Sequence, residues 1–160
     1  MRPILPLALA ALALLAAPVA AQEAKPNPDA DPTIAVSAAD AQMNAAIAEA
    51  QATLPDFLAV LANPPRGASD ISFKFPLEGY EHIWVADVRR DGDVLTGQLA
   101  NNPEAPGWAL GDPVRVPLSD VSDWGYWNAR GEGVGFYTVR VILDYLSSAE
   151  AQAVREAYGW

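Results

Sequence analysis

The chain holds one histidine, and its neighbour is an acid. In "GYEHIWVADVRR", residues 79–90, His82 follows Glu81 and stands two positions before Trp84. Histidine titrates near neutral pH, and a carboxylate in contact with it is the usual means of orienting a general base. The segment, however, reads as a strand. Alternation then puts His82, Trp84, Ala86 and Val88 on one face, and Glu81, Ile83, Val85, Asp87 and Arg89 on the other. Adjacent strand residues cannot pair side chain to side chain. His82 is therefore expected toward the end of the more apolar face, with Trp84 in the core. If it acts as a base, its partner must come from another segment.

Other chemistries have less to work with. No G-x-S-x-G stretch exists to pair a nucleophilic serine with His82. Without cysteine, and with a single histidine, the chain lacks the usual zinc ligand sets. No D-x-D-x-D-G loop offers calcium ligands. Asp91 and Asp93 flank Gly92 and read as turn residues. Asp120 and Asp123 read as caps of a helical turn, with an acidic site as the alternative. A glycosidase-type carboxylate pair stays open, since such pairs come from distant segments. No cofactor is implied.

Aromatic residues carry the stronger signal. Trp108, Trp124, Tyr126, Trp127 and Tyr137 gather in the C-terminal half, among Gly- and Pro-rich segments. Rings on loops suit binding, because they contribute large area at small entropic cost. Trp124 reads first as core, whereas Trp108 and Trp127 divide evenly between core and binding. Asn101, Asn102 and Arg140 can add polar contacts. The binding candidates are therefore Asn101, Asn102, Trp108, Asp123, Trp124, Trp127 and Arg140, with His82 a lesser catalytic candidate.

The elements that must position them follow from periodicity. "SAADAQMNAAIAEAQATL" is rich in alanine, the best helix former, with Ser37 as N-cap and Met43, Ile47, Ala50 and Leu54 as its stripe. Pro55 opens a second helix that turns Phe57, Leu58 and Leu61 inward. "DISFKFPL" alternates, with Ile71, Phe73 and Phe75 opposite Ser72 and Lys74. "EHIWVADVRR", "DGD" and "VLTGQLAN" make strand, tight turn and strand. A long loop over 101–112 leads to the short strand "PVRVPL". Residues 118–135 mix a helical turn with a Gly-rich loop. Residues 136–146 are β-branched but too long and irregular for a clean strand, and are read as helix. "SSAEAQAVREAYGW" is a short polar helix opened by Ser148.

The ends set the setting. Residues 1–21 have the build of a secretory signal peptide: Arg2, an apolar run, and Val19 and Ala21 before a cut. An uncleaved anchor is the alternative. Residues 22–36 read as a flexible linker and 37–160 as one domain. The net charge of −10 disfavours nucleic acid and anionic lipid surfaces, both of which attract Lys and Arg. The expectation is a periplasmic or secreted protein with no membrane contact after cleavage, whose partner is a protein or a small ligand. Oligomeric state is left open.

From about residue 40 to residue 146 the chain resembles the bacterial domain of unknown function 2314. The resembling pieces are "MNAAIAEAQATLPDFLAVL", "FKFPLEGYEHIWV", "GQLANNP", "LGDPVRV", "VSDWGYW" and "GFYTVR", in the family's order. The resemblance brings no catalytic residue with it. A fainter likeness, through strand–strand–"GD"–strand–"DW", is to SH3-like immunity proteins of toxin systems. The fold expected is α+β: an N-terminal helix or helix pair on a curved antiparallel sheet of about four strands, in an SH3-like version, with a short C-terminal helix. The function expected is a non-enzymatic binding module using the loops 101–108 and 123–130. The alternatives are a hydrolase built on His82 and an immunity-type inhibitor of a basic toxin.

Overall fold

Gly92, at φ +59°, closes the tight turn that the "DGD" stretch announces, and Asp91 pairs with Val94 across it. The computed structural model describes residues 34–37 and 39–160, together with Leu12, Ala13 and Ala30. The leader and linker expected over 1–36 lie almost wholly outside the described residues. Of them, β1 (Leu12–Ala13) pairs in parallel with β2 (Val36–Ser37). Two helices follow, α1 (Ala41–Ala52) and α2 (Leu54–Ala62). The strands are β3 (Ser69–Leu77), β4 (Glu81–Asp91), β5 (Val94–Leu99), β6 (Pro113–Pro117), β7 (Asp123–Trp127) and β8 (Gly133–Gly135). α3 (Tyr137–Ile142) and α4 (Ser148–Tyr158) complete the chain. Among the described residues, no single helix is long and apolar enough to cross a membrane.

The architecture is α+β. Strands β3 to β8 form one antiparallel sheet of six, in the order β6-β5-β4-β3-β7-β8. That corrects the expectation of about four. The two added strands, β7 and β8, come from the segment read as helical turn and loop. Their glycines misled the reading, because each stands where a ring needs room: a Cβ on Gly125 would lie 2.6 Å from the Phe136 ring. The segment 136–146 is helical as expected, but in two pieces. α3 is followed by a 3₁₀ turn over Leu143–Tyr145.

Two caps shift by small steps. Asp40, not Ser37, caps α1: its carboxylate accepts from the Met43 N–H at 2.7 Å, satisfying one of the orphan donors at a helix start. Ser147, not Ser148, caps α4, in a reciprocal capping box with Glu150. The stripe of α1 is also narrower than its spacing suggests. Met43, Ala46 and Ala50 are buried, while Ile47 packs at the margin against Val36, Met43 and Ile142.

Helices α1 and α2 cover one face of the sheet. There Phe57 stacks on Trp124 at 5.5 Å between ring centroids, over Phe73, Phe75, Leu77, Ile83, Val85, Leu95 and Leu99. On β4 the buried series is Glu81, Ile83 and Val85, so the core face is the one opposite His82 and Trp84. The other face is covered too, near its centre, by Phe136 and Thr138 at the start of α3 and by Tyr158 at the end of α4. Lys74 and Ser72, read as the solvent side of β3, lie beneath that second cover. This two-sided burial creates the site.

Candidate functional site

On the second face, cross-strand register lines up Trp84, Lys74 and Asp123 on β4, β3 and β7. Lys74 is 2% exposed and Asp123 is wholly buried. Asp123 accepts from the backbone N–H groups of Trp124 (2.8 Å), Tyr137 (3.0 Å) and Thr138 (2.8 Å) and from the Thr138 hydroxyl (2.6 Å). Two of those backbone donors belong to the first turn of α3, so the carboxylate caps a helix fourteen residues downstream. The Thr138 hydroxyl also accepts from Lys74 Nζ at 3.3 Å and so links cation to anion. Burial pushes the Lys74 ammonium down to about 8, against the pull of Asp123. Burial pushes the Asp123 carboxyl up, opposed by Lys74 and its hydrogen bonds.

His82 sits at the near end of the same face. Its Nδ1 lies 2.7 Å from Ser122 Oγ, a hydrogen bond whose donor is set by the imidazole tautomer. Burial, with Lys74 adding repulsion, holds the imidazole down to about 4, so it is neutral at pH 7. A histidine and serine at this distance could in principle make a nucleophile. Ser122 is 3% exposed, however, so its hydroxyl is buried rather than presented to a cleft. Glu81, on the opposite face, accepts from the Glu104 and Ala105 N–H groups at 2.8 and 2.9 Å and pins the long loop to the sheet. The adjacent acid thus serves a loop, not the histidine.

The histidine has a consequence for acid stability. Its folded pKa is depressed, so the unfolded chain binds more protons between pH 6.5 and 4. Stability therefore falls as pH drops through that window, by up to about 3 kcal/mol. Urea midpoints taken from pH 7 to 4 should show the fall, and His82→Gln, which keeps a partner for Ser122, should flatten it. A His82 Hε1 resonance titrating near 6.5 would contradict the burial argument.

Beyond Lys74 the second face opens into a cavity of about 250 Å³. Phe136, only 2% exposed, is its floor. Trp84 (5.3 Å), Trp127 (4.7 Å) and Tyr158 (5.0 Å) stand against that floor ring, each tilted or edge-on to it. Asp70, Ser72, Ala86, Ala100 and Asn101 line the rest. Phe136 reaches its position through a left-handed backbone, φ +54° and ψ +44°, rare for a bulky residue. A second, wider groove of about 1010 Å³ runs past Leu61, Val88, Arg89 and Arg115. His82 lines neither. Among the described residues, no three His, Cys, Asp or Glu side chains converge to hold a metal ion.

The candidates named from sequence are scattered. Asn101 and Trp127 line the cavity. Asn102 lies on the adjoining loop at half exposure. Trp108 is remote, its indole N–H donating to Glu78 at 2.9 Å. Trp124 belongs to the opposite face, its N–H donating to the Ala50 carbonyl at 3.1 Å. Asp123 lies under the cavity wall, and Arg140 stacks 3.7 Å over the Trp160 ring. Sequence reasoning missed Trp84, Phe136 and Tyr158 as cavity residues, and Lys74 and Thr138 as their support. Phe136 and Tyr158 were legible only as apolar marks on the two C-terminal helices.

The class defined here is an α+β domain with a buried Lys74–Thr138–Asp123 hydrogen-bonded chain under an aromatic cavity. Residues 40–160 match the family described as uncharacterised proteins conserved in bacteria (DUF2314), and the chain belongs to that family. It is also 31% identical over 80 residues to a putative ankyrin repeat protein of Neisseria meningitidis serogroup B. That similarity covers 49% of this chain and 31% of the Neisseria protein, so the chain spans about a third of that relative's length. No solved structure is a significant match.

Proposed function

We propose that this chain is an exported, non-enzymatic binding module whose site is the cavity between Trp84, Trp127, Phe136 and Tyr158. The observation that carries the reading is the cavity itself: four rings of one cluster around a space of about 250 Å³, with Asn101 at its edge. Ligand sites are mostly apolar and carry few polar groups, and this cleft, smaller than most, has that composition. Of the two loops first proposed, 101–108 contributes Asn101 and 123–130 contributes Trp127. Export rests on the signal-like residues 1–21. A basic protein partner, the inhibitor-type and SH3-like version of this reading, has the net charge of −10 in its favour.

The test is a fragment screen by NMR on the mature chain. Resonances of Trp127 and Tyr158 should shift with apolar fragments, and Trp127→Leu should lose the response. Fragments that shift only the groove near Arg89 and Arg115 would move the site elsewhere.

A further inference from the structure

We propose that the cavity takes a quaternary or fully methylated ammonium group, an inference that rests on the cavity being the binding site. Cations are drawn to the faces of aromatic rings, and the attraction strengthens when the site excludes water. This ring cluster already holds two cations at its borders. Lys74 Nζ lies 5.3 Å from the Trp84 ring centroid, and the Arg140 guanidinium lies 3.7 Å from that of Trp160. The cavity itself is lined by Trp84, Trp127 and Tyr158 over the Phe136 floor and has no basic lining residue.

Charge points the same way. Asp70 is the one acid in the lining, and its carboxylate has no hydrogen-bond or ion-pair partner among the described residues. Lys74 is the nearest buried cation, but Asp123 opposes it through Thr138. Asp70 also borders the wider groove that Arg89 and Arg115 line, so it is the cavity side of that rim that carries negative charge, on a chain of net charge −10.

The number of acceptors selects among cations. A primary ammonium brings three donors, and each one that the rings screen from water without an acceptor is costly. Asn101 Oδ1 already accepts from the Trp84 backbone N–H at 3.4 Å, which leaves little beyond the Ser72 hydroxyl and the rim carboxylate. A methylated ammonium has no donors to satisfy and presents an apolar surface to the rings. A group of choline size fits about 250 Å³.

The experiment titrates the mature chain, at matched ionic strength, with choline, with ethanolamine, and with 3,3-dimethyl-1-butanol, the uncharged carbon analogue of choline. Tryptophan and tyrosine resonances are the readout. Choline should bind at least about fivefold tighter than either comparison compound. Asp70→Asn, which keeps a residue tolerant of the left-handed backbone at φ +51°, should remove most of that preference and leave the alcohol unchanged. Equal binding of choline and the alcohol overturns the charge inference and leaves the cavity as an apolar site. Choline silent while screening fragments bind does the same. Choline and every fragment silent at Trp127 and Tyr158 overturns both readings.

Discussion

Asp123→Ala should lower stability by about 3–5 kcal/mol, enough to drop the melting temperature by more than about 10 °C. The carboxylate is wholly buried and receives four hydrogen bonds, two of them from the first N–H groups of α3. Removing it orphans those donors and leaves Lys74, 2% exposed, without its counter-charge. Lys74→Met should cost much less. It removes the desolvated cation, and Asp123 keeps all four donors. The double variant should then be more stable than the sum of the two single losses predicts, by at least about 1 kcal/mol, because the stranded charge is gone. Urea denaturation of the four proteins closes the cycle. If Asp123→Ala lies within about 1 kcal/mol of wild type, or the double variant is fully additive, the pair does not act as a pair.

Local rules made the first face readable. The Asp-Gly turn, the alternation of "DISFKFPL" and the alanine-rich helix each satisfy one such rule, and the elements they announce pack as α+β. The second face obeys no local rule. Lys74 alternates with Phe73 and Phe75, which in an isolated strand reads as a solvent position. Its burial depends on Phe136 and Thr138, more than sixty residues away. The core side of β4 is the one opposite Trp84 for the same reason. Which side of β4 is core depends on where α1 and α2 settle, and both sides of that strand carry apolar residues. Gly125, Gly133 and Gly135 read as loop glycines because their task is steric. Gly125 lies under the Phe136 ring, and Gly133 lies beside Phe136 and Tyr158. A glycine that makes room for a ring cannot be told from a turn glycine until the ring is placed.

That steric task gives the second large effect. Gly131 and Gly135 both have positive φ, +75° and +81°. A Cβ on Gly131 would meet nothing within 4 Å, so Gly131→Ala should cost only the left-handed backbone penalty, about 1–2 kcal/mol. A Cβ on Gly135 would lie 2.3 Å from the Trp124 carbonyl oxygen and 2.9 Å from its ring. Neither neighbour can yield cheaply. The carbonyl accepts the Phe136 N–H at 2.8 Å, and the ring is locked between Phe57 and Tyr137. Gly135→Ala should therefore add an overpacking cost of about 1–3 kcal/mol to the backbone penalty. The backbone can escape the clash only by moving Phe136, the cavity floor, so ligand-induced shifts at Trp127 and Tyr158 should weaken with stability. Gly131→Ala, at matched fraction folded, should leave those shifts intact. Equal losses of stability from the two alanines, with binding preserved in both, would mean that Gly135 is only a turn residue and that Phe136 does not depend on its close contact with Trp124.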